Sequence, residues 1–575
     1  MKGVPFLFGP QLGRDNTCFH LWAPGVETVT LNVEGEQPQQ MKARIDGWHQ
    51  AKAPVGVGAR YRFHLPDGTL VPDPASRFQP EDVHGPSLVI ADAYSWQCES
   101  WRGRPWQETV IYELHVGLLG GYGGVRKHLA GLAEIGITAI ELMPIGEFPG
   151  ARNWGYDGVL PFAPESNYGT PGELKALIDE AHSLGLMVFL DVVYNHFGPD
   201  GNWMPSFAPS FFREELHTPW GAAIDFRRDE VRRFFIENAL YWLGQFRFDG
   251  LRLDAVHAIS EPGWIGEMAH EVRTRFPDRH IHLILENEGN VAEHMRGQID
   301  AQWNDDFHNV MHVLLTGETH AYYEDFAERP AEKLARALAQ GFIYQGEPSR
   351  HHNGEPRGTP SADLPPTAFV SFLQNHDQIG NRALGERLTR LADPKSLRAA
   401  TALLLLCPQI PLIFMGDELG ATTPFLFFTD FHGDLADAVR EGRRKEFAKF
   451  PSFSDSKHRN AIPDPNAQST FDACRLNFNA PDAAEWRALY RDLLALRHRH
   501  IVPTLGETQS AGAMVLGERA VAAHWRLNAS QILTLACNLD DRPVQVEIPS
   551  GVAIWGEAVN DAVPPKSTLA WISAA

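Results

Sequence analysis

At 575 residues the chain is too long for one hydrophobic core, so about two to four domains are expected. Its composition, 43% hydrophobic and 21% charged, is that of a globular protein. No stretch approaches the roughly 18 uninterrupted apolar residues of a membrane span. A net charge of -21, from 72 acidic and 51 basic residues, argues against a nucleic-acid partner.

The opening residues, MKGVPFLFGPQLG, lack the apolar region and small-residue cleavage site of a secretory signal. The cysteines (Cys18, Cys98, Cys407, Cys474 and Cys537) are odd in number, far apart and never in CxxC spacing. That pattern disfavours both a disulfide framework and a zinc site, and a reducing cytoplasm is the expected setting.

In chain order, the first hundred residues read as β. Phe19 and Leu21, then Val29, Leu31 and Val33, then Tyr61, Phe63 and Leu65 alternate with polar neighbours. Short strands at this spacing predict a β-sandwich over residues 1–97. Its proline-rich end, VPDPASRFQPEDVHGPS, reads as a linker or a docking strap. From Glu108 apolar runs alternate with amphipathic helices, the signature of a parallel sheet.

The unit 170–196 shows this best. Thr170 and Glu173 make a capping box with Pro171 at the first helical position. Leu174, Leu177, Ile178, Ala181 and Leu184 line one helix face, Gly185 ends it, and a buried strand follows. Strand-like runs recur at 110–116, 138–144, 187–193, 250–256, 282–286, 300–303, 368–373 and 410–415.

Eight such runs predict a (β/α)8 TIM barrel over 98–501. A doubly wound open sheet fits the same pattern, although no GxGxxG follows the first strand. A helix over 483–498 leads to a small C-terminal β-domain, 502–575, with strands at 521–527, 532–538 and 544–548.

In a barrel the catalytic groups sit where strands end at the carboxyl-terminal face. Asp254, Glu286 and Asp377 each follow an apolar run, a costly place for a carboxylate that is neither paired nor functional. Singly, each reads more readily as a buried ion pair or a polar loop residue, Asp254 beside Arg252 above all. Three such groups on one barrel, with His196 ending another strand, point to glycosyl transfer by a nucleophile and an acid.

At these positions the sequence resembles the α-amylase superfamily of glycoside hydrolases. The motifs are DVVYNH (191–196), GLRLDAVH (250–257), LENEGN (285–290) and NHDQ (375–378). The resemblance implies that Asp254 is the nucleophile, Glu286 the acid/base and Asp377 the transition-state stabiliser. It further implies that Arg252 keeps Asp254 ionised, that His196 and His376 donate hydrogen bonds to the sugar, and that Tyr156 stacks against it. The retaining chemistry places the two carboxyl groups about 5–5.5 Å apart and needs no metal or other cofactor.

The N-terminal β-domain and YELHVG (112–117) narrow the resemblance to enzymes of branched or modified α-glucans. Longer segments favour the maltooligosyltrehalose trehalohydrolases: RNWGYDGVLPFAP (152–164), PWGAAI (219–224), AQWNDDF (301–307), HVLLTGE (312–318), QNHDQIGNR (374–382), TTPFLFFTD (422–430) and REGRRKEF (440–447). That family implies maltooligosyltrehalose or a related α-glucan as substrate and trehalose as product.

His257, Asp305, Asp306, His308, Gln378 and Asn381 match positions near the pocket, where polar groups read hydroxyls. Residues 424–428 are the aromatic wall in this reading, and ordinary packing in the plainer one; His257 is otherwise a satisfied core histidine. Two segments depart from the family pattern, the short loop 118–122 and Asn287-Glu288-Gly289. Arg440, Arg443, Arg444 and Lys445, interspersed with Glu441 and Glu446, read as a solvated charged helix.

Two other readings stand beside the leading one. A branching or debranching enzyme shares the motifs, and a non-catalytic glucan-binding protein shares the fold. The N-terminal domain resembles glucan-binding modules, with Trp22 and Trp48 as either sugar platforms or core.

Overall fold

The structure, a computed structural model, describes residues 6–448 and 455–575. Eight parallel strands close into a barrel: β1 (Ile111–Leu114), β2 (Ala139–Leu142), β3 (Met187–Val192), β4 (Gly250–Leu253), β5 (His282–Leu285), β6 (Ala301–Trp303), β7 (Phe369–Ser371) and β8 (Ile410–Phe414). They pair in chain order, and β1 closes the ring on β8 with Ile111 opposite Leu412. The open-sheet alternative is thereby excluded. Each strand is buried on both faces, which is why the sequence shows continuous apolar runs rather than alternation.

The side chains that point inward build a packed centre. At its base Ile111, Ala139, Phe189, Ile284 and Leu412 share one apolar cluster with Trp303 and Phe372. Higher up, the inward positions turn polar: Glu113, Glu141, Asp191, Arg252 and Asp254. Polarity thus rises toward the carboxyl-terminal face, where a site can be built.

The helix after Thr170 forms as its cap predicts. The Thr170 side chain accepts from Glu173 N at 3.2 Å, and Glu173 Oε2 accepts from Thr170 N at 2.7 Å.

Ahead of the barrel lie two antiparallel sheets, one containing Thr17–Trp22 and Trp48–Ala53, the other Thr30–Val33 and Arg60–His64. Phe19 of the first and Tyr61 of the second meet between them, 4.6 Å apart. Trp22 and Trp48 belong to packing. Trp22 is buried, with its Nε1–H donated to Asp46 O, and Trp48 lies against Phe8. Neither offers a sugar platform.

The proline-rich segment is a strap rather than a free linker. Asp73 accepts from Tyr61 OH at 2.7 Å, while Arg77 donates to Phe8 O at 2.9 Å and lies over the Tyr241 ring.

After helix Ala483–His500 comes a five-stranded antiparallel sheet, ordered 509–517, 520–528, 531–538, 567–574, 551–555. Two of its strands were expected. The expected strand at 544–548 shrinks to Val544–Gln545 and pairs with Ala562–Val563 in a separate ribbon. The place beside 531–538 is taken by Ser567–Ala574, whose eight pairs outweigh a short segment running into Pro549. Among the described residues no helix is long and apolar enough to cross a membrane.

Candidate active site

A cavity of about 900 Å³ opens at the carboxyl-terminal end of the barrel, and Asp254, Glu286 and Asp377 all line it. That volume suits an oligosaccharide better than a single sugar. Arg252, fully buried on β4, organises the site. Its Nη1 donates to Asp191 (2.7 Å) and to Asp254 Oδ1 (3.0 Å), and its Nη2 donates to Glu286 Oε2 at 2.6 Å. The guanidinium lies 3.9 Å over the Trp303 ring, which walls it from the barrel base. One cation therefore touches three carboxylates, two of them the expected nucleophile and acid.

The backbone contributes as well. Ala255 takes the left-handed conformation, φ 39° and ψ 50°, which a residue with a Cβ adopts at a cost. This turns its N–H toward Glu286 Oε2, a bond of 2.9 Å. Asp254 Oδ2 accepts from Asn195 Nδ2 at 2.9 Å, so each oxygen of that carboxyl has a donor.

Burial pushes Asp191 up to about 7 against the pull of Arg252, and Tyr156 OH donates to it at 2.5 Å. Burial also raises Asp377, with the pull of His376 opposing and the repulsion of Glu286 adding to it. Asp377 Oδ1 accepts from Asn381 Nδ2 at 2.7 Å, and Asn375 and Asn381 cap the two ends of the short helix His376–Gly380 that carries Asp377. Asp305 is pushed up to about 8 by burial and by the nearby Glu286 and Asp377, and it accepts from Gln378 Nε2 at 3.0 Å.

Most expected site residues meet at this cavity: Tyr156, His196, Arg252, His257, Asp305, His376, Gln378 and Asn381 line it with the three carboxylates. Tyr156 stacks on the His376 ring, centroids 5.1 Å apart.

His257 is exposed on the turn after β4, not a core histidine. His196 differs from expectation. Its Nε2 meets Tyr156 O at 2.9 Å and its Nδ1 meets Asn195 Oδ1, so the ring offers the cavity no free N–H. Burial lowers it to about 4, and it stays neutral beneath Trp220, whose ring lies parallel at 4.8 Å.

Asp306 and His308 do not line the cavity. Successive helical residues point about 100° apart, so Asp305 and, one turn on, Asn309 face inward from helix Asp305–Thr316, while Asp306 and His308 turn away. Asp306, fully buried, binds Arg357 at 2.7 Å and the N–H groups of Ile343 and Tyr344. His308 turns its Nδ1 to Leu373 O at 2.6 Å.

Within 424–428 only Phe427 reaches the cavity; Phe425 and Phe428 are fully buried. Residues 118–122 lie away from it.

The charged helix also needs correcting. Over Gly433–Phe447 it is mostly exposed, but Arg443 is buried, lines the cavity and donates to the Gly380 and Arg382 carbonyls. Its neighbours in space, Phe427 and Phe447, receive its guanidinium on their faces. Aromatics beside a charge run were the signal that the charge count alone hid.

Glu288 also lines the cavity, with His352 Nε2 at 3.3 Å and His257 Nε2 at 3.8 Å from its carboxyl oxygens. His352, in a turn, and Tyr322, in the short 3-10 helix Ala321–Phe326, sit in segments without periodicity and were not singled out by the sequence.

The α-amylase catalytic domain family matches residues 76–215, and a domain family of unknown function matches 508–571. The malto-oligosyltrehalose trehalohydrolase of Saccharolobus solfataricus is 41% identical over 86% of this chain and 87% of its own. The enzyme of the same name from Deinococcus radiodurans is 42% identical over 85% and 82%.

The chain belongs to the malto-oligosyltrehalose trehalohydrolase family.

Its fold relatives extend further. A crystal structure from Salmonella typhimurium superposes with a TM-score of 0.93 at 44% identity, covering 99% of this chain and 100% of that one. A pullulanase from Paenibacillus barengoltzii, at 18% identity and a TM-score of 0.74, shares the fold. The Salmonella structure thus spans the two N-terminal sheets, the barrel and the C-terminal sheet together.

Proposed function

We propose that this protein is a retaining glycosidase that cleaves the α-1,4-glucosidic bond next to the terminal trehalose unit of maltooligosyltrehalose and releases trehalose, in the cytoplasm. One observation carries the reading: Asp254, Glu286 and Asp377 line a single cavity, with the first two on the same guanidinium. Family membership supplies the substrate class. The five cysteines are all free, which supports the compartment. We take 1–97, 98–501 and 502–575 as the three domains.

In this mechanism Asp254 attacks the anomeric carbon while Glu286 gives its proton to the glycosidic oxygen. The electrons of the breaking C–O bond go to that oxygen, trehalose departs, and a β-glycosyl ester forms on Asp254. Glu286, now a carboxylate, takes a proton from water; the water oxygen displaces Asp254 and restores the α configuration. Arg252 holds both carboxyl groups in register. Asp377 and Asn381 grip hydroxyls of the cleaved sugar, and Tyr156 covers its face. Beyond the scissile bond, Glu288, His352, Trp220 and Tyr322 are the wall available to a trehalose turned by its 1,1 linkage.

Product analysis tests the proposal. Incubation with maltooligosyltrehalose is expected to release trehalose, with little hydrolysis of plain maltooligosaccharide. Altered branch content in a branched glucan without trehalose release overturns it.

A further inference from the structure

Glu113 and Glu141 stand side by side. They are register partners on β1 and β2, both inward and both fully buried. Like charges on neighbouring strands repel, and two buried carboxylates at this spacing do not both ionise. Their surroundings decide which one carries the charge.

Glu113 has two donors. His376 Nδ1 lies 2.5 Å from Oε1, and the His376 backbone N–H donates to Oε2 at 3.2 Å. Glu141 has none: among the described residues, neither oxygen meets a hydrogen-bond partner. A carboxylate with donors is stabilised as the anion, and one without is stabilised as the acid.

The donor side is equally constrained. With Nδ1 committed to Glu113, His376 is held between Trp154, set edge-on at 5.5 Å, and the stacked Tyr156 ring. The ring lines the cavity, and no described residue takes its Nε2. Groups facing it from the packed elements are Glu113 of β1, His115 just after that strand, Tyr156, Arg252 of β4, and Asp377 beside it, with Glu141 of β2 next to Glu113.

We infer that Glu113 is a positioning residue for the hydrolysis: it bears the charge of the Glu113/Glu141 pair and holds His376 as an imidazolium, whose Nε2–H is presented to the sugar. The inference rests on the glycosidase reading of this cavity. A short charge-assisted bond fixes the ring, and the imidazolium is a stronger donor than a neutral ring. Glu113 and His376 together carry no net charge, so the donor comes without a field opposing the positive charge that develops on the cleaved sugar. Glu141, kept neutral, leaves that balance intact. Burial works against the imidazolium, and Glu113 by attraction and hydrogen bonding overcomes it, so His376 titrates above its ordinary value. For Glu141, burial leads and repulsion from Glu113 and Asp191 follows, both favouring the acid.

The wild-type protein decides the charge state without any variant. In ¹⁵N-histidine-labelled protein at pH 7, the His376 ring, assigned by its loss in His376→Asn, is expected to show both nitrogens protonated. One protonated nitrogen overturns the inference, whatever the substrate proves to be.

Glu113→Gln keeps an acceptor for Nδ1 and removes the charge. Its His376 is expected to lose the second proton at pH 7. The alkaline limb of kcat/KM for trehalose release should move about 1–3 units toward acid, with kcat lower by about tenfold or more and KM changed less. Glu141→Gln, replacing one neutral group by another, is expected to leave that limb in place. A limb unmoved in Glu113→Gln, or moved equally in Glu141→Gln, overturns the assignment.

Discussion

The backbone N–H of Ala255 donates to Glu286 Oε2 at 2.9 Å, so the chain immediately after Asp254 holds the carboxyl group on the next strand. Nucleophile and acid are thus placed by one turn as well as by one arginine. Glu286→Gln keeps the acceptor for this N–H and removes the acid. We expect kcat to fall about 10²–10⁴-fold, with maltooligosyltrehalose binding in calorimetry changed only a few-fold. Asp254→Ala should abolish turnover; measurable trehalose release from it would remove Asp254 from its assigned role.

Arg252 cannot be replaced by lysine without loss. A single ammonium offers no planar fork to join Asp191, Asp254 and Glu286. Steady-state kinetics of Arg252→Lys should show kcat reduced about 100-fold or more. Arg252→Met leaves buried carboxylates uncompensated and should cost about 3–5 kcal/mol in urea unfolding.

Tyr156 separates stacking from hydrogen bonding. Tyr156→Phe keeps the ring against His376 and loses the bond to Asp191, worth about 1.5–3 kcal/mol for a charged partner. Tyr156→Ala loses both, and its kcat/KM should fall further. Equal losses in the two variants would assign the effect to the hydroxyl alone.

The raised carboxyl groups set a pH dependence of stability. Asp305 is pushed up to about 8 in the fold, against about 3.9 when unfolded. The folded state therefore binds the extra proton. The stability it contributes is full below the unfolded value and is lost as pH rises through about 8. Asp305→Asn removes this dependence, so its urea midpoint relative to wild type should climb between pH 4 and pH 8. His115, lowered to about 4 by burial, has the opposite sign: its contribution is present above pH 6.5 and disappears as pH falls through about 4. A midpoint difference independent of pH would rule out a protonated Asp305.

Away from the cavity, Arg497 is fully buried and donates to the carbonyls of Leu405, Cys407 and Gln409. It serves the carbonyls left over at the end of helix Pro394–Leu406. Arg497→Met should leave them without donors and lower stability by about 2–4 kcal/mol in denaturant melts, with KM unchanged in the folded fraction.

The barrel was legible because its strands are buried on both faces and its helices carry local stop and start signals, as at Thr170 and Gly185. The three carboxylates were legible because Asp254 and Glu286 close such runs and Asp377 follows one a few residues on. Strand 509–517 was not: it is largely exposed, interrupted at Gly512, and has no alternation to read. Asp306 and His308 show a second limit. Sequence neighbours on a helix share a motif yet face different ways, and only packing tells which one meets the cavity. Arg443 shows a third, since a charge run says nothing about the aromatics that fold over one of its members.

The N-terminal segment is tied directly to the barrel's wall. Glu237, wholly enclosed on helix Asp229–Gln245, accepts from the N–H groups of Leu7 and Phe8 as well as from Arg233. Those few residues close the outer layer of the catalytic domain as a clasp closes a belt. Trimming them would strip an enclosed acid of two donors and loosen the helix behind the β3–β4 crossover. Leu7 and Phe8 thereby act as a mechanical part of the scaffold.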